Sequence, residues 1–247
     1  MRDYAITYQQ LIRQAVAQGL SDDELIRIRN GYDVAVRITD GLYRKQMVPF
    51  ICHLVRTSSI VMHETRELAP ILASMLHAVY FLNIFSRSTR RGPRQSDRVF
   101  LKDTVGGEVE RLIADYSQFR FGEEEATYWA APDRVLDDRT KQLLMMRLAD
   151  ELEDHLDAAE SFVPAGKFRA GDTTYGVPFV ELAGRLGLHA IAEDFHEALK
   201  LNHEMRLPEE ILSPHGSSFE LRNRLWTASP IERTMNWLRR LRHHRRW

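Results

Sequence analysis

Leu68-Ala69-Pro70-Ile71-Leu72-Ala73-Ser74-Met75-Leu76-His77-Ala78-Val79-Tyr80-Phe81-Leu82-Asn83-Ile84-Phe85 runs for eighteen residues without a charge. A stretch of that length approaches a bilayer span. Pro70, His77 and Asn83 speak against one, because an imidazole in lipid is costly without a partner. A helix buried on all sides at the centre of an α-helical protein produces the same run. The sequence on either side agrees with that reading: helical punctuation is frequent, strand-like alternation is nearly absent, and the expected class is all-α.

Upstream, Ser21 and Glu24 form a capping box that opens a helix through Leu25, Ile26 and Ile28, ahead of expected breaks at Gly31 and Gly41. A second helix starts near Pro49 and carries His53, Val55 and Ile60. Downstream, Ser86 to Asp97 is a basic loop with Arg87, Arg90, Arg91 and Arg94. Val105 to Tyr116 follows as a helix entered through Gly106-Gly107, and Glu123 to Asp138 is a loop or short helical insertion. Lys141 to Ala159 places Leu144, Leu148 and Leu152 four residues apart on one buried face. Gly166 to Pro178 carries three glycines and is expected to be a linker, after which Phe179 to Met205 resumes helical spacing. The expected organisation is a helical core over 1–160, a linker or loop over 161–178 and a C-terminal helical extension over 179–247. The tail starts a helix with Ser229-Pro230-Ile231-Glu232 and ends in an arginine-rich run from Arg239 to Trp247. That run is either a solvated helix end or a contact for an anionic partner.

The chain has 247 residues, a net charge of -1 and 44% apolar residues, so it can bury a core and exerts no global attraction on nucleic acid or an anionic membrane. One cysteine, Cys52, excludes an internal disulfide framework and a zinc cluster built from several thiolates. A reducing cytoplasm is the expected setting. The opening residues, with Arg2, Asp3, Gln9 and Gln10, lack the apolar core of a signal peptide. No P-loop, dinucleotide fingerprint or glycine elbow is present, and Ser58-Ser59 and Cys52 make no credible nucleophile.

Three separated segments carry chemistry: Tyr43-Arg44-Lys45 leading through Pro49-Phe50-Ile51-Cys52 to His53, then Leu76-His77-Ala78-Val79, then Leu148-Ala149-Asp150. In order and spacing they resemble the HD phosphohydrolase superfamily, most closely the hydrolase half of the RelA/SpoT-type alarmone enzymes, over roughly residues 25 to 160. The resemblance implies an HD-domain-like helical bundle with additional C-terminal helices. It also implies metal ligation by His53, His77 and Asp150, with Arg44 and Lys45 bordering a nucleotide pocket. The chain departs from the family where Ala78 replaces a ligating aspartate and where Phe81-Leu82 replaces an acidic pair. Asp154 stands where the alarmone hydrolases have an asparagine.

On residue chemistry alone, two imidazoles and a carboxylate can occupy one face of a cation and leave positions open for water and substrate. Asp150 and Asp154 share a helix face, with Arg147 three residues before. This requires Asp150 to turn inward while Glu151 and Glu153 turn out, and it makes Asp154 the candidate to orient a ligand or water in catalysis. Arg44, Lys45 and Arg147 are the candidate phosphate contacts. His63, Glu64 and Glu67 are distant candidates to replace the missing aspartate. The leading expectation is metal-dependent hydrolysis, with Mn, Fe, Zn or Mg, of a small phosphorylated metabolite or nucleotide. The alternatives are an inactive binding, regulatory or assembly module and an Fe(II) oxygenase on the two-His-one-carboxylate set. The C-terminal helices are candidates either to pack on the core or to join a second copy in a homo-oligomer, with no clear nucleic-acid or membrane partner.

Overall fold

The structure is a computed structural model and describes residues 1–82, 95–163 and 175–221. Ten α-helices are present among the described residues: α1 (Tyr8–Ala17), α2 (Asp22–Thr39), α3 (Phe50–Glu64), α4 (Leu68–Met75), α5 (Gln95–Val105), α6 (Gly107–Gln118), α7 (Glu123–Ala130), α8 (Asp138–His155), α9 (Val177–Leu186) and α10 (His189–Glu204). The fold is all-α. The one sheet among the described residues is a two-residue antiparallel pairing of β1 (Leu42–Tyr43) with β2 (Phe219–Glu220), in which Tyr43 faces Phe219.

Helix α3 lies at the centre, packed against α4, α8, α2, α1 and α10. Its apolar residues Leu54, Ile60 and Val61 are fully buried. Its polar residues Thr57, Ser58 and Ser59 are buried too, and each finds a partner. The Thr57 hydroxyl donates to the His53 carbonyl at 2.9 Å, Ser58 to the Ile71 carbonyl at 2.9 Å, and Ser59 to Gln14 at 2.5 Å. Buried hydroxyls without such bonds would cost about 1–3 kcal/mol each. Leu144, Leu148 and Leu152 of α8 enter the same core, as do Phe179 and Leu182 of α9 and Ile191 and Phe195 of α10.

Gly31 does not break its helix; α2 continues through it to Thr39. A Cβ at Gly31 would lie 2.9 Å from Leu72 Cδ2, so the glycine is there to let α4 approach α2. Gly41, with φ +77, does follow the helix end.

The uncharged run is not one helix. Helix α4 stops at Met75, and residues 76–82 continue as successive turns. His77 Nδ1 lies 2.6 Å from the Ser74 carbonyl, the acceptor that the Ala78 N–H would need to extend the helix. His77 therefore projects from a turn. No helix among the described residues is long and apolar enough to cross a membrane.

Helix α8 ends at His155, short of the expected Ala159. Asp157 and Ala158 adopt left-handed backbone (φ 56 and 55) and redirect the chain into a 3-10 segment, Leu156–Phe162. The helical spacing of 179–205 becomes two helices, because Gly187 caps α9 in left-handed conformation (φ 72). Val177 and Pro178, expected in the linker, already belong to α9, while 164–174 lie outside the described residues. The basic loop is outside them as far as Arg94, and Gln95 to Asp97 form the start of α5. The tail capping box and arginine run also fall outside the described residues.

Candidate metal centre

Three elements meet at one point. His53 comes from the first turn of α3, His77 from the turn after α4, and Asp150 from the middle of α8. The two Nε2 atoms are 3.4 Å apart, and Asp150 Oδ1 lies 3.3 Å from that of His53 and 3.5 Å from that of His77. These three side chains are grouped closely enough to hold a metal ion. Bonds of about 2.1 Å at tetrahedral angles would set neighbouring donor atoms about 3.4 Å apart, so the triangle has the dimensions of a coordination face.

The outer atoms of the same groups are already engaged. His77 Nδ1 faces a carbonyl, which can only accept, so Nδ1 carries the proton and Nε2 keeps its lone pair toward the site. His53 Nδ1 lies 2.5 Å from Glu153 Oε2, an arrangement that orients metal-binding imidazoles and raises their basicity. Asp150 Oδ2 accepts a 2.6 Å hydrogen bond from the buried Tyr116 hydroxyl. That bond leaves Oδ1 turned toward the histidines.

Glu153 corrects the expectation that it would turn outward. Its side chain is nearly buried, bonded to His53 and 4.0 Å from Arg56 Nη1. Asp150, Glu153 and Asp154 are related by three and four residues, so one face of α8 presents all three carboxylates. That spacing was the available signal. Tyr116 carried none, since it occupies an apolar position of α6 alongside Val109, Leu112 and Ile113. Glu153, Asp154 and His53 also form a second close group of metal-ligating types.

The basic candidates separate. Arg44 enters the site: its guanidinium donates from Nη2 to Asp154 Oδ1, and Nη1 stands 3.3 Å from His53 Nε2. Lys45 pairs instead with buried Glu160 at 2.6 Å. Arg147 stacks on the Tyr116 ring at 3.8 Å and donates to the carbonyls of Tyr116 (2.9 Å) and Phe119 (2.5 Å). It steadies the end of α6 and the tyrosine that holds Asp150.

None of the distant carboxylate candidates is among the close metal-ligating groups. Glu64 accepts the Ile191 N–H at the start of α10, Glu67 accepts from Gln142, and His63 packs edge-on to Tyr4. Ala78 is buried, and no carboxylate stands at its position in the chain.

Burial and the Arg44 charge both oppose protonation of His53, yet Glu153 and Asp150 outweigh them and hold its pKa at about 9. Burial, aided by His53, pulls His77 down to about 4 against the opposing pull of Asp150. Burial would raise both carboxylates, but His77, His53 and Arg44 keep Asp150, and His53, Arg44 and Arg56 keep Glu153, below the usual carboxylate range. For Asp154 burial prevails over Arg44, and its pKa is raised. The site opens beside Asp150, whose side chain is 24% exposed where that of His53 is 1% exposed.

No protein-family model matches the chain, and no curated protein matches it.

Proposed function

We propose that this chain is a metal-dependent hydrolase of a small phosphorylated metabolite or nucleotide, built on an HD-like helical bundle. The observation that carries the reading is the triangle of His53 Nε2, His77 Nε2 and Asp150 Oδ1, with edges of 3.3 to 3.5 Å. His53, His77 and Asp150 would hold a divalent cation (Mn, Fe, Zn or Mg), which would supply a water of lowered pKa and polarisation of a phosphoryl oxygen. His53 and His77 present lone pairs whose direction Glu153 and the Ser74 carbonyl determine. Arg44, beside His53 and Asp154, offers a planar fork to a phosphate. Asp154, whose raised pKa suits a proton acceptor, orients the attacking water. A cytoplasmic setting fits the single thiol of Cys52.

A second reading, a metal-free binding or regulatory module, is favoured by the place of Arg44, which brings positive charge to the carboxylates without an ion. Phosphate release from a panel of nucleotides and small phosphomonoesters, after incubation with each cation, separates the two. Release that disappears in His77→Ala supports the hydrolase. Absence of release, from protein whose metal content stays negligible after every incubation, would leave the module.

A further inference from the structure

We infer that Arg44 is a built-in counter-cation: a divalent ion enters the site only when its guanidinium withdraws, and a phosphate-bearing ligand promotes entry by taking the guanidinium up. The inference rests on reading the triangle as a cation site and adds a control over its occupation.

The crowding centres on His53 Nε2. That atom has one position, filled by a lone pair or a hydrogen, and Arg44 Nη1 stands 3.3 Å from it while Asp150 Oδ1 and His77 Nε2 stand 3.3 and 3.4 Å away. A metal must take that position, and a guanidinium 3.3 Å from Nε2 crowds and repels the ion that would bind there. Arg44 also donates to Asp154, on the α8 face that carries Asp150 and Glu153, and so balances charge that would otherwise draw a cation. A retained guanidinium beside a divalent ion would repel it.

The surrounding chain allows the side chain to move while the backbone stays. Arg44 begins a tight turn closed by its N–H to the Val48 carbonyl at 2.8 Å and by the Met47 N–H to its own carbonyl at 2.9 Å. The turn is tied down beyond Arg44: Lys45 and Gln46 both bind Glu160, at 2.6 and 3.1 Å, and Ser213 donates to the Lys45 carbonyl. β2 pairs with the strand just before it. The Arg44 side chain is 16% exposed, so a rotamer change carries it to solvent without disturbing these anchors. A phosphate offers the fork the two-pronged acceptor that makes such an exchange favourable.

The test measures Mn²⁺ affinity of the whole chain and of Arg44→Gln, each with and without inorganic phosphate. Arg44→Gln should bind Mn²⁺ alone at least about tenfold more tightly, and phosphate should tighten Mn²⁺ binding more in the wild type than in the variant. Equal or weaker affinity in a folded Arg44→Gln would overturn the inference, and an equal phosphate effect in both proteins would overturn its phosphate step. A variant that unfolds without metal and refolds with Mn²⁺ reports the same tightening through stability, whereas unfolding that Mn²⁺ does not reverse counts against it. Tighter Mn²⁺ binding with no hydrolysis would sink the hydrolase reading alone. Hydrolysis with unchanged binding would sink this one alone.

Discussion

His53 Nδ1 and Glu153 Oε2 stand 2.5 Å apart across the buried contact between α3 and α8. This pairing joins the core to the site: it satisfies a buried carboxylate and aims the opposite ring nitrogen at His77 and Asp150. Glu153→Gln keeps the shape and removes the charge. It should weaken divalent-cation binding about 10- to 100-fold, the range for losing such an outer partner. It should also lower folding stability by about 1.5–3 kcal/mol, as for a charged hydrogen bond. Titration with Mn²⁺ and urea unfolding in chelator measure the two effects, and unchanged cation affinity would show that Glu153 has no part in orienting His53.

Tyr116→Phe removes only the hydroxyl that donates to Asp150 Oδ2. The ring contacts with His77 and Arg147 remain available, so stability should fall by only about 1 kcal/mol. Cation affinity should fall roughly tenfold or more, because Oδ1 loses its fixed direction. Thermal melts and metal titration measure the two effects, and an unchanged cation affinity would show that the Tyr116 hydroxyl does not direct Oδ1.

The titrating groups predict a stability maximum near neutrality in the metal-free protein. His53, raised to about 9, contributes stability that is full below its unfolded pKa of about 6.5 and lost as pH rises through about 9. His77, lowered to about 4, and the depressed Asp150 and Glu153 act oppositely, contributing stability that is lost as pH falls. Urea unfolding in chelator should therefore weaken on both sides of about pH 6.5. Cation affinity should keep rising toward pH 9, since binding displaces the His53 proton. A cation affinity flat between pH 6 and 9 would contradict the assigned charge on His53.

Ala78→Asp places a carboxylate beside His77, where the HD superfamily has its ligand. It should raise cation affinity or phosphate release. Ala78 is buried, so the unliganded carboxylate costs several kcal/mol and the variant should depend on metal for its stability. A variant that folds without metal and gains neither property would show that the turn does not aim residue 78 at the site.

The parts of the site legible in the sequence are those whose chemistry and spacing coincide. His53, His77 and Asp150 stand out because their order along the chain resembles that of the HD phosphohydrolase motifs, and Asp154 through its four-residue spacing from Asp150. Glu153 reads as outward because Glu151 within α8 and Asp157 just beyond it suggest a solvated face; its burial depends on a ring from another helix. Tyr116 reads as a core aromatic, and it is one, with only its hydroxyl in the site. The end of α4 at Met75 hinges on a side chain bonding a backbone carbonyl, which no hydrophobic pattern reports. The left-handed pair Asp157–Ala158 contains no glycine to announce it, yet it leads into the segment that sets Glu160 against Lys45.

The central claim is that His53, His77 and Asp150 hold one divalent cation. It is tested most directly by metal content per chain, for untagged protein incubated with Mn, Fe, Zn or Mg and then dialysed, alongside His77→Ala treated identically. The account predicts stoichiometric metal in the wild type and its loss in the variant. Negligible metal in the wild type with every cation, or metal retained undiminished in a folded His77→Ala, would contradict it.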